Sequence, residues 1–187
     1  MFLKRFTVDE YHRMIDGGML AREGRHELLD GFIVAKMTHN PAHDLAVSLV
    51  LRQLLTRLPQ QFFCRVQSAI TLTTSEPEPD LGIVIGPERR YTTRHPGASD
   101  VALIIEVAES SLADDRNEKG MLYAQAALPQ YWIVNLVDHC VEVFTDPTGP
   151  TSSPAFKQKC KFDANAVIPL VIDGHDCGQI PVSDLLP

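Results

Sequence analysis

Hydrophobic residues recur along the chain in short runs, which are separated by turn-forming residues. The most continuous run covers 101–107, where every position except Glu106 is apolar. An unbroken apolar run of this length is typical of a central strand that is covered on both faces. The segment from about Leu112 to Ala127 has helical spacing instead, and Pro129 follows it. We therefore predict a buried strand, followed by a helix that ends before the proline.

The N-terminal third predicts two helices on either side of a hairpin. Residues 7–10 (Thr-Val-Asp-Glu) form a capping-box sequence, and the helix they begin is expected to end at Gly17-Gly18. Asp30-Gly31 divides 27–34 into two strands of a hairpin. Asn40-Pro41 supplies a cap and a first-turn proline to a helix that runs to about Leu58.

The rest of the chain predicts strands that complete one sheet. We expect them at 62–73, 81–85, 101–107, 131–137 and 140–145, with weaker strands near 156–162 and 167–172. The segment 146–154 is expected to be a loop. The predicted class is α/β (α+β), a mixed sheet flanked by helices. We expect a single domain over 1–187, with a core at about 5–145 and a C-terminal strand extension at 146–187.

Composition places the chain among ordinary globular proteins and gives it an acidic net charge. The 187 residues are 44% hydrophobic and 22% charged, and the four cysteines lie far apart without a Cys-x-x-Cys pair. The sequence contains no long apolar run. We therefore expect a cytoplasmic protein with reduced cysteines and no membrane association.

The net charge of −7 counts mildly against nucleic-acid binding, because DNA affinity comes largely from neutralising phosphates. Local basic stretches can outweigh the sum. One is the loop that carries Arg89, Arg90 and Arg94 around Tyr91, and the other is the alternating Lys157, Lys159 and Lys161. We predict that Arg89, Arg90 and Arg94 lie on the same side of the molecule as the site and contact phosphates. The alternative for either stretch is ordinary solvated surface.

Two carboxylates stand at the boundaries of predicted strands. Glu106 follows five apolar residues, and burying a carboxylate there is costly unless it is paired or bound to a metal. Asp80 directly precedes the strand at 81–85, after a stiff Glu-Pro-Glu-Pro segment. Each also has a simpler explanation: Glu106 reaching solvent at the sheet edge, and Asp80 as a turn residue.

Lys119 falls in the middle of the apolar stripe of the predicted helix. At 100° per residue it shares a face with Leu122 and Tyr123, and this face should pack on the sheet. An inward lysine after a strand that ends in Glu106 indicates an ion pair arranged across two elements. Without such a site, Lys119 would extend outward past its neighbours, or pair with Asp115 one turn earlier.

Together, Asp80, Glu106 and Lys119 suit phosphodiester hydrolysis. Mg²⁺ (or Mn²⁺) prefers oxygen ligands, lowers the pKa of a bound water and neutralises charge on a phosphate. An ammonium group can orient that water or stabilise the phosphoryl oxygens. The residues therefore predict a metal-dependent nuclease site.

An ordered set of motifs resembles a known family over about residues 5–145. The motifs are Glu27-Leu-Leu-Asp-Gly31, Gln67, Pro79-Asp80, Ile105-Glu106-Val107 with Ser110-Ser111, Asp115-Arg-Asn-Glu-Lys119, and Leu128-Pro-Gln-Tyr-Trp-Ile-Val134. The chain resembles the Uma-type "putative restriction endonuclease" family, a branch of the PD-(D/E)XK nuclease superfamily. This resemblance implies a restriction-endonuclease-like core and a Mg²⁺-dependent endonuclease acting on DNA.

The resemblance also implies roles for individual residues. Asp80 and Glu106 would bind the metal, with the Val107 carbonyl as a third ligand, and Glu27 would hold a second metal or a water. The signature lysine of the superfamily lies two residues after the acid, where this chain has Ala108. The Uma-type family carries its lysine on the following helix, at the position of Lys119.

Two further candidates and two alternative functions remain. His43 matches a family position near the start of the second helix, and Gln67 would hydrogen-bond a ligand water; each also has a purely structural explanation. The acidic charge and the missing Asp/Glu-x-Lys spacing favour the alternative of a catalytically inactive binding or assembly module. A third alternative is a structural domain with paired carboxylates. Because two-strand cleavage needs two active sites, we expect a homodimer.

Overall fold

The computed structural model describes residues 3–20, 24–36 and 38–187. Two of its helices are α1 (Val8–Asp16) and α2 (Pro41–Leu55). A third, α3, consists of the consecutive segments Leu112–Asp114, Asp115–Lys119 and Gly120–Gln125, the middle one a π-helical turn. The strands are β1 (His26–Leu29), β2 (Phe32–Ala35), β3 (Phe62–Val66), β4 (Leu81–Ile85), β5 (Val101–Ala108), β6 (Gln130–Asn135), β7 (Cys140–Pro147), β8 (Phe156–Asp163), β9 (Val167–Ile172) and β10 (His175–Pro181). Short 3₁₀ turns lie at Glu88–Tyr91, Ala98–Asp100 and Val182–Asp184.

Strands β3 to β8 form one six-stranded sheet in sequence order. All neighbouring pairs are antiparallel except β5 and β6, which are parallel. A parallel pair needs a crossover connection, and α3 provides it. Two hairpins, β1–β2 and β9–β10, form separate two-stranded sheets. The predicted mixed sheet flanked by helices is confirmed.

The sheet is covered on both faces, as the apolar run at 101–107 predicted. Leu103, Ile105 and Val107 pack in a core cluster with α2 and the β9–β10 hairpin. Ile104 and Ala108 pack in a second cluster with Tyr123 of α3. Alternation along β5 therefore places Glu106 on the α3 face of the sheet.

Local signals predicted the ends of the early elements well. Thr7 and Glu10 form the capping box of α1, whose C-cap is Gly17. Asp30 and Gly31, both with positive φ, form the turn between β1 and β2. Asn40 caps α2 and Pro41 is its first residue, although α2 ends at Leu55 and not at Leu58. Helix α3 likewise ends at Gln125, two residues before the predicted end.

Two strand predictions need correction. Strand β3 ends at Val66, because Gln67 adopts a left-handed conformation (φ 44°); residues 67–73 make only an isolated bridge, Thr71 to Gly97. Strand β9 pairs with the unpredicted β10 and does not join the main sheet. Strand β8 does join it, as predicted, and continues the sheet to Asp163.

Candidate active site

A cleft of about 340 Å³ opens where the C-terminal end of β5 meets the β1–β2 hairpin and the first turns of α2 and α3. Among the described residues, its lining contains seven carboxylates and two ammonium groups, those of Lys36 and Lys119. The acidic residues are Glu27, Asp80, Glu106, Glu109, Asp114, Asp115 and Glu118. Such a cleft attracts cations and repels a bare phosphate.

The cleft brings Asp80 and Glu106 together, because β4 and β5 are neighbours. Leu81 pairs with Ile105, so Asp80, one residue earlier, lies opposite Glu106. The Asp80 amide donates to Glu106 Oε2 at 3.3 Å, and the Val107 amide donates to Asp80 Oδ2 at 2.9 Å. Both carboxylates are buried, with 4% and 3% of their surface exposed. Glu106 therefore does not extend into solvent at the sheet edge.

Lys119 points inward from α3, as its helical position predicted. Its Nζ donates to Glu106 Oε1 at 2.9 Å and lies 3.8 Å from Glu27 Oε1. Glu27 is itself fixed on β1, where its Oε2 accepts a hydrogen bond from the Glu78 amide at 3.1 Å. Asp80, Glu106, Lys119 and Glu27 thus all line one cleft. Val107, whose carbonyl is the predicted third metal ligand, lines it too.

Two further residues, which the sequence did not place in the site, complete this group. Tyr123 is fully buried and its hydroxyl donates to Glu106 Oε1 at 2.8 Å. Asp115 is 2% exposed, accepts from the Ser111 hydroxyl at 2.7 Å and lies 3.7 Å from Lys119 Nζ. Tyr123 already stood on the inward helix face, and the residue pair 115 and 119 has helical spacing. Their role could not be recognised without the position of Glu106.

The π-helical turn at Asp115–Lys119 explains why Asp115, Lys119 and Tyr123 share a face. In a regular α-helix, residues four apart drift by about 40° around the axis. A π turn closes on the fifth residue and so holds more residues, which offsets the drift. Here the Gly120 amide donates to the Asp115 carbonyl. The wider turn therefore directs three polar side chains, four residues apart, towards the sheet.

Burial and crowding set the charges in the cleft. Burial raises the pKa of Glu106 to about 7, because Asp115, Asp80 and Glu27 add to the desolvation cost while Lys119 offsets only part of it. Burial also raises the pKa of Asp115. Burial alone would lower the pKa of Lys119, but Glu106, Glu27 and Asp115 together raise it. The ammonium stays charged, and the cleft without a metal tends to hold an extra proton.

Asp80 has the opposite electrostatic balance. Burial alone would raise its pKa, but the hydrogen bonds from His43 and from the Val107 amide hold it below the usual range. His43 Nε2 lies 3.1 Å from Asp80 Oδ2. Asp80 is therefore ionised, which a metal ligand must be.

Of the two weaker candidates, His43 lines the cleft itself, and Gln67 contacts the cleft wall through a third residue, His39. The imidazole rings of His39 and His43 stack with centroids 4.1 Å apart. The Gln67 side chain contacts His39 Nδ1, with its Nε2 at 3.0 Å. His39, which the sequence did not single out, thus connects the two candidates.

The arginine loop is the one predicted site element that lies elsewhere. It follows the C-terminal end of β4, whereas Asp80 precedes the N-terminal end, and five residues of strand span roughly 16 Å. Arg90 and Arg94 form ion pairs of 2.8 and 2.7 Å with the buried Asp100, which precedes β5 at the end far from Glu106. Placing Arg89, Arg90 and Arg94 beside the site was therefore wrong, because β4 carries the chain away from it.

Comparisons with other proteins identify the family and the fold. Residues 8–169 match the model of the Uma2 family, described as "Putative restriction endonuclease". The chain belongs to the Uma2 family. Its fold resembles the crystal structure of a "putative nuclease belonging to DUF820" from Anabaena variabilis ATCC 29413, with a TM-score of 0.69. The two chains share 16% identity over 96% of this chain and 97% of the other, so the likeness concerns the fold. No curated protein matches this sequence.

Membership of the Uma2 family confirms the resemblance inferred from the motifs and makes this chain a member of a nuclease family with a nuclease-like fold. None of the helices in the described part of the chain is long and apolar enough to cross a membrane. The individual roles of Asp80, Glu106, Lys119 and the other site residues stay predictions.

Proposed function

We propose that this Uma2-family protein is a Mg²⁺-dependent endonuclease that hydrolyses phosphodiester bonds in DNA. The observation that supports it best is the convergence of Asp80, Glu106 and Lys119 in one cleft, from two adjacent strands and a crossover helix. Two buried carboxylates and one buried ammonium group form a typical setting for phosphoryl chemistry at a divalent cation.

The donor set fits a hard divalent ion. Asp80 and Glu106 offer carboxylate oxygens on opposite positions of neighbouring strands, and both are too buried for water to stabilise their charges. Asp80 and Glu106 would hold Mg²⁺ or Mn²⁺, with the Val107 carbonyl as a further ligand. When bound, the ion supplies a more acidic water and charge neutralisation at the phosphate.

The residues of the chain then position the reacting groups. Lys119 stands beside Glu106 and, with the ion in place, is free to donate to a water or to a phosphoryl oxygen. Tyr123, one turn after Lys119 on α3, donates to Glu106 Oε1, and Asp115 keeps the ammonium of Lys119 in the cleft. Glu27, fixed by the Glu78 amide, faces the same ammonium and would hold a second ion or a water.

The acidic lining of the cleft also affects how DNA can bind. With seven carboxylates against two ammonium groups, the cleft repels the DNA backbone until cations neutralise it. DNA affinity, and not only cleavage, should therefore depend on divalent cations. Cutting both strands of a duplex needs two such sites, so we also propose that the protein acts as a homodimer.

The test uses supercoiled plasmid and a labelled duplex with the full chain. With Mg²⁺ or Mn²⁺, the wild-type protein should nick or linearise the plasmid, and Asp80→Asn should not. With Ca²⁺, which often supports binding without turnover, duplex affinity should rise at least tenfold over a metal-free buffer. Glu88→Gln, on the distant loop, serves as the control carboxylate. Divalent-dependent binding without cleavage by the wild-type protein would favour the inactive binding module instead.

A further inference from the structure

We propose that His39, His43 and Asp80 form a second metal site, which takes a divalent ion that prefers imidazole ligands, such as Zn²⁺. This proposal rests on the proposed function only because the two metal sites share Asp80. One donor atom from each of the three residues lies within 4.8 Å of the other two, on the wall of the cleft. Two imidazoles and a carboxylate form a softer donor set than the oxygens around Glu106.

The closest pair of donor atoms already has the spacing that a shared ion requires. His43 Nε2 and Asp80 Oδ2 are 3.1 Å apart. Two ligand atoms about 2.1 Å from one ion, at angles between 90° and tetrahedral, are separated by about 3.0 to 3.4 Å. An ion can therefore bind between this pair at their present separation.

The start of α2 holds the two imidazoles side by side. His39 and His43 are four residues apart, and their rings are inclined by 23° at a centroid distance of 4.1 Å. Asn40 fixes this arrangement, because its Oδ1 accepts the backbone amide of His43 at 2.9 Å while it caps the helix. One donor nitrogen of each ring lies within 4.8 Å of the other and of an Asp80 oxygen, so both rings can serve one ion.

The second nitrogen of His43 provides independent support. The His43 residue is 8% exposed, and among the described residues its buried Nδ1 has no hydrogen-bond partner; Asp44 Oδ1 is 3.6 Å away. An unsatisfied buried nitrogen is costly. An imidazole that binds an ion through Nε2 carries its proton on Nδ1, and ligating histidines usually donate that proton to a carboxylate. Asp44 stands in the position of this partner.

Gln67 plays the corresponding part for His39. Its left-handed backbone directs the carboxamide onto His39 Nδ1 at 3.0 Å. Turning the amide by 180° places Oε1 where it accepts a proton from Nδ1, at the expense of the 3.4 Å contact between Oε1 and Arg25. His39 Nε2 is then the unprotonated ligand. Gln67 is thus a positioning residue for the second metal site.

Co²⁺ is a suitable probe, because its visible absorption reports the ligands directly. Metal-stripped full-length protein is titrated with Co²⁺ in the presence of millimolar Mg²⁺, and Mg²⁺ binding is measured separately by calorimetry. We expect one Co²⁺ site, weakened at least tenfold in His39→Ala and in His43→Ala, with Mg²⁺ affinity changed less than threefold. Glu106→Gln should show the reverse pattern, and Asp80→Asn should lose both ions. His175→Gln, an exposed histidine on β10, is the matched control.

These variants separate the two proposals. If the wild-type protein binds Co²⁺ as expected but neither binds Mg²⁺ nor cleaves DNA, the proposed function is overturned and the second metal site stands. Unchanged Co²⁺ affinity in both histidine variants, with thermal melting showing that they are folded, would overturn the second site. A thiolate charge-transfer band would also overturn it, since it would place the ion at the other cluster of candidate ligands, Asp138, Cys140 and Glu142.

Discussion

Lys119 Nζ lies 2.9 Å from Glu106 Oε1, although the two residues are 13 positions apart and belong to different elements. The strand places the carboxylate, and the crossover helix brings the ammonium back over it. The position two residues after Glu106 is Ala108, which packs in the core and leaves no room for a lysine at that point. The helix thus supplies the charge that the strand lacks.

Replacing Lys119 with Met should separate catalysis from metal binding. We expect Mg²⁺ affinity to stay the same or increase, because a repelling cation is removed from the site. Cleavage should fall by about 10² or more, because the water and the phosphate lose their charged donor. Calorimetry and plasmid cleavage measure the two effects. Lys161→Met, half-exposed on β8, is the control; wild-type cleavage by Lys119→Met would refute the role.

Glu106 should make the metal-free protein less stable as pH rises. Its pKa is about 7 in the folded state against 4.5 for a solvent-exposed glutamate, so the folded state holds the extra proton between these values. The free energy of unfolding therefore decreases as pH rises from about 4.5 to 7. Glu106→Gln should flatten this part of the profile, measured by urea unfolding between pH 4 and 8. An identical slope in both proteins would contradict the assignment.

Glu142 should show the opposite dependence. It is 1% exposed, and although burial alone would raise its pKa, Arg116, Lys159 and Asn135 lower it to about 2. Its stabilising contribution is complete above about pH 4.5 and is lost as pH falls towards 2. Glu142→Gln should lower the melting temperature at pH 6. On acidification, the melting temperature of this variant should fall less than that of the wild-type protein. Asp163→Asn, an exposed acid on β8, should change neither.

Tyr123 should influence the site through its hydroxyl alone. Tyr123→Phe keeps the buried ring but leaves Glu106 Oε1 with only Lys119. We expect a stability loss of about 1 kcal/mol. Because one donor to the ionised form disappears, the rise of cleavage with pH should shift to higher pH. A lower rate with an unchanged pH profile would show that the hydroxyl has no effect on the Glu106 charge.

The arginine loop gives a test of the corrected geometry. Arg89→Ala should leave the salt dependence of DNA binding unchanged, because the loop lies at the far end of β4 from the cleft. Arg94→Ala should instead destabilise the fold, because Asp100 is buried and loses one of its two guanidinium partners. A shallower salt slope in Arg89→Ala, with unchanged melting, would restore this loop to the DNA-binding surface.

The sequence predicted those parts of the fold and the site that local chemistry determines. The Thr7 cap, the Asp30-Gly31 turn and the apolar run before Glu106 each depend on neighbouring residues, and each matches the structure. The end of β3 depends on the left-handed conformation of Gln67, which its neighbours do not signal. His39 could not be found, because its significance comes from Asp80, which approaches it only in the folded chain.

The pairing of strands was beyond the reach of local patterns as well. Strand β9 (Val-Ile-Pro-Leu-Val-Ile) is apolar throughout, and nothing in this sequence distinguishes it from an outer strand of the main sheet. Its partner is β10, which interrupts its own pattern with Gly178 and an irregular register. The position of the arginine loop was missed for a related reason, since the direction in which β4 carries the chain depends on its antiparallel pairing with β5.

The π-helical turn in α3 contains one residue more than an ordinary α-helical turn would. Five residues of a π turn cover nearly the same rotation as four residues of an α-helix, so the helical segments on either side of the turn keep their relative orientation. Deleting one residue between Asp115 and Lys119 would therefore restore an ordinary helix and leave Tyr123 close to its present direction towards Glu106. In an alignment of two such chains that differ by one residue here, the gap belongs inside the turn, because the residues on both sides of it occupy equivalent positions.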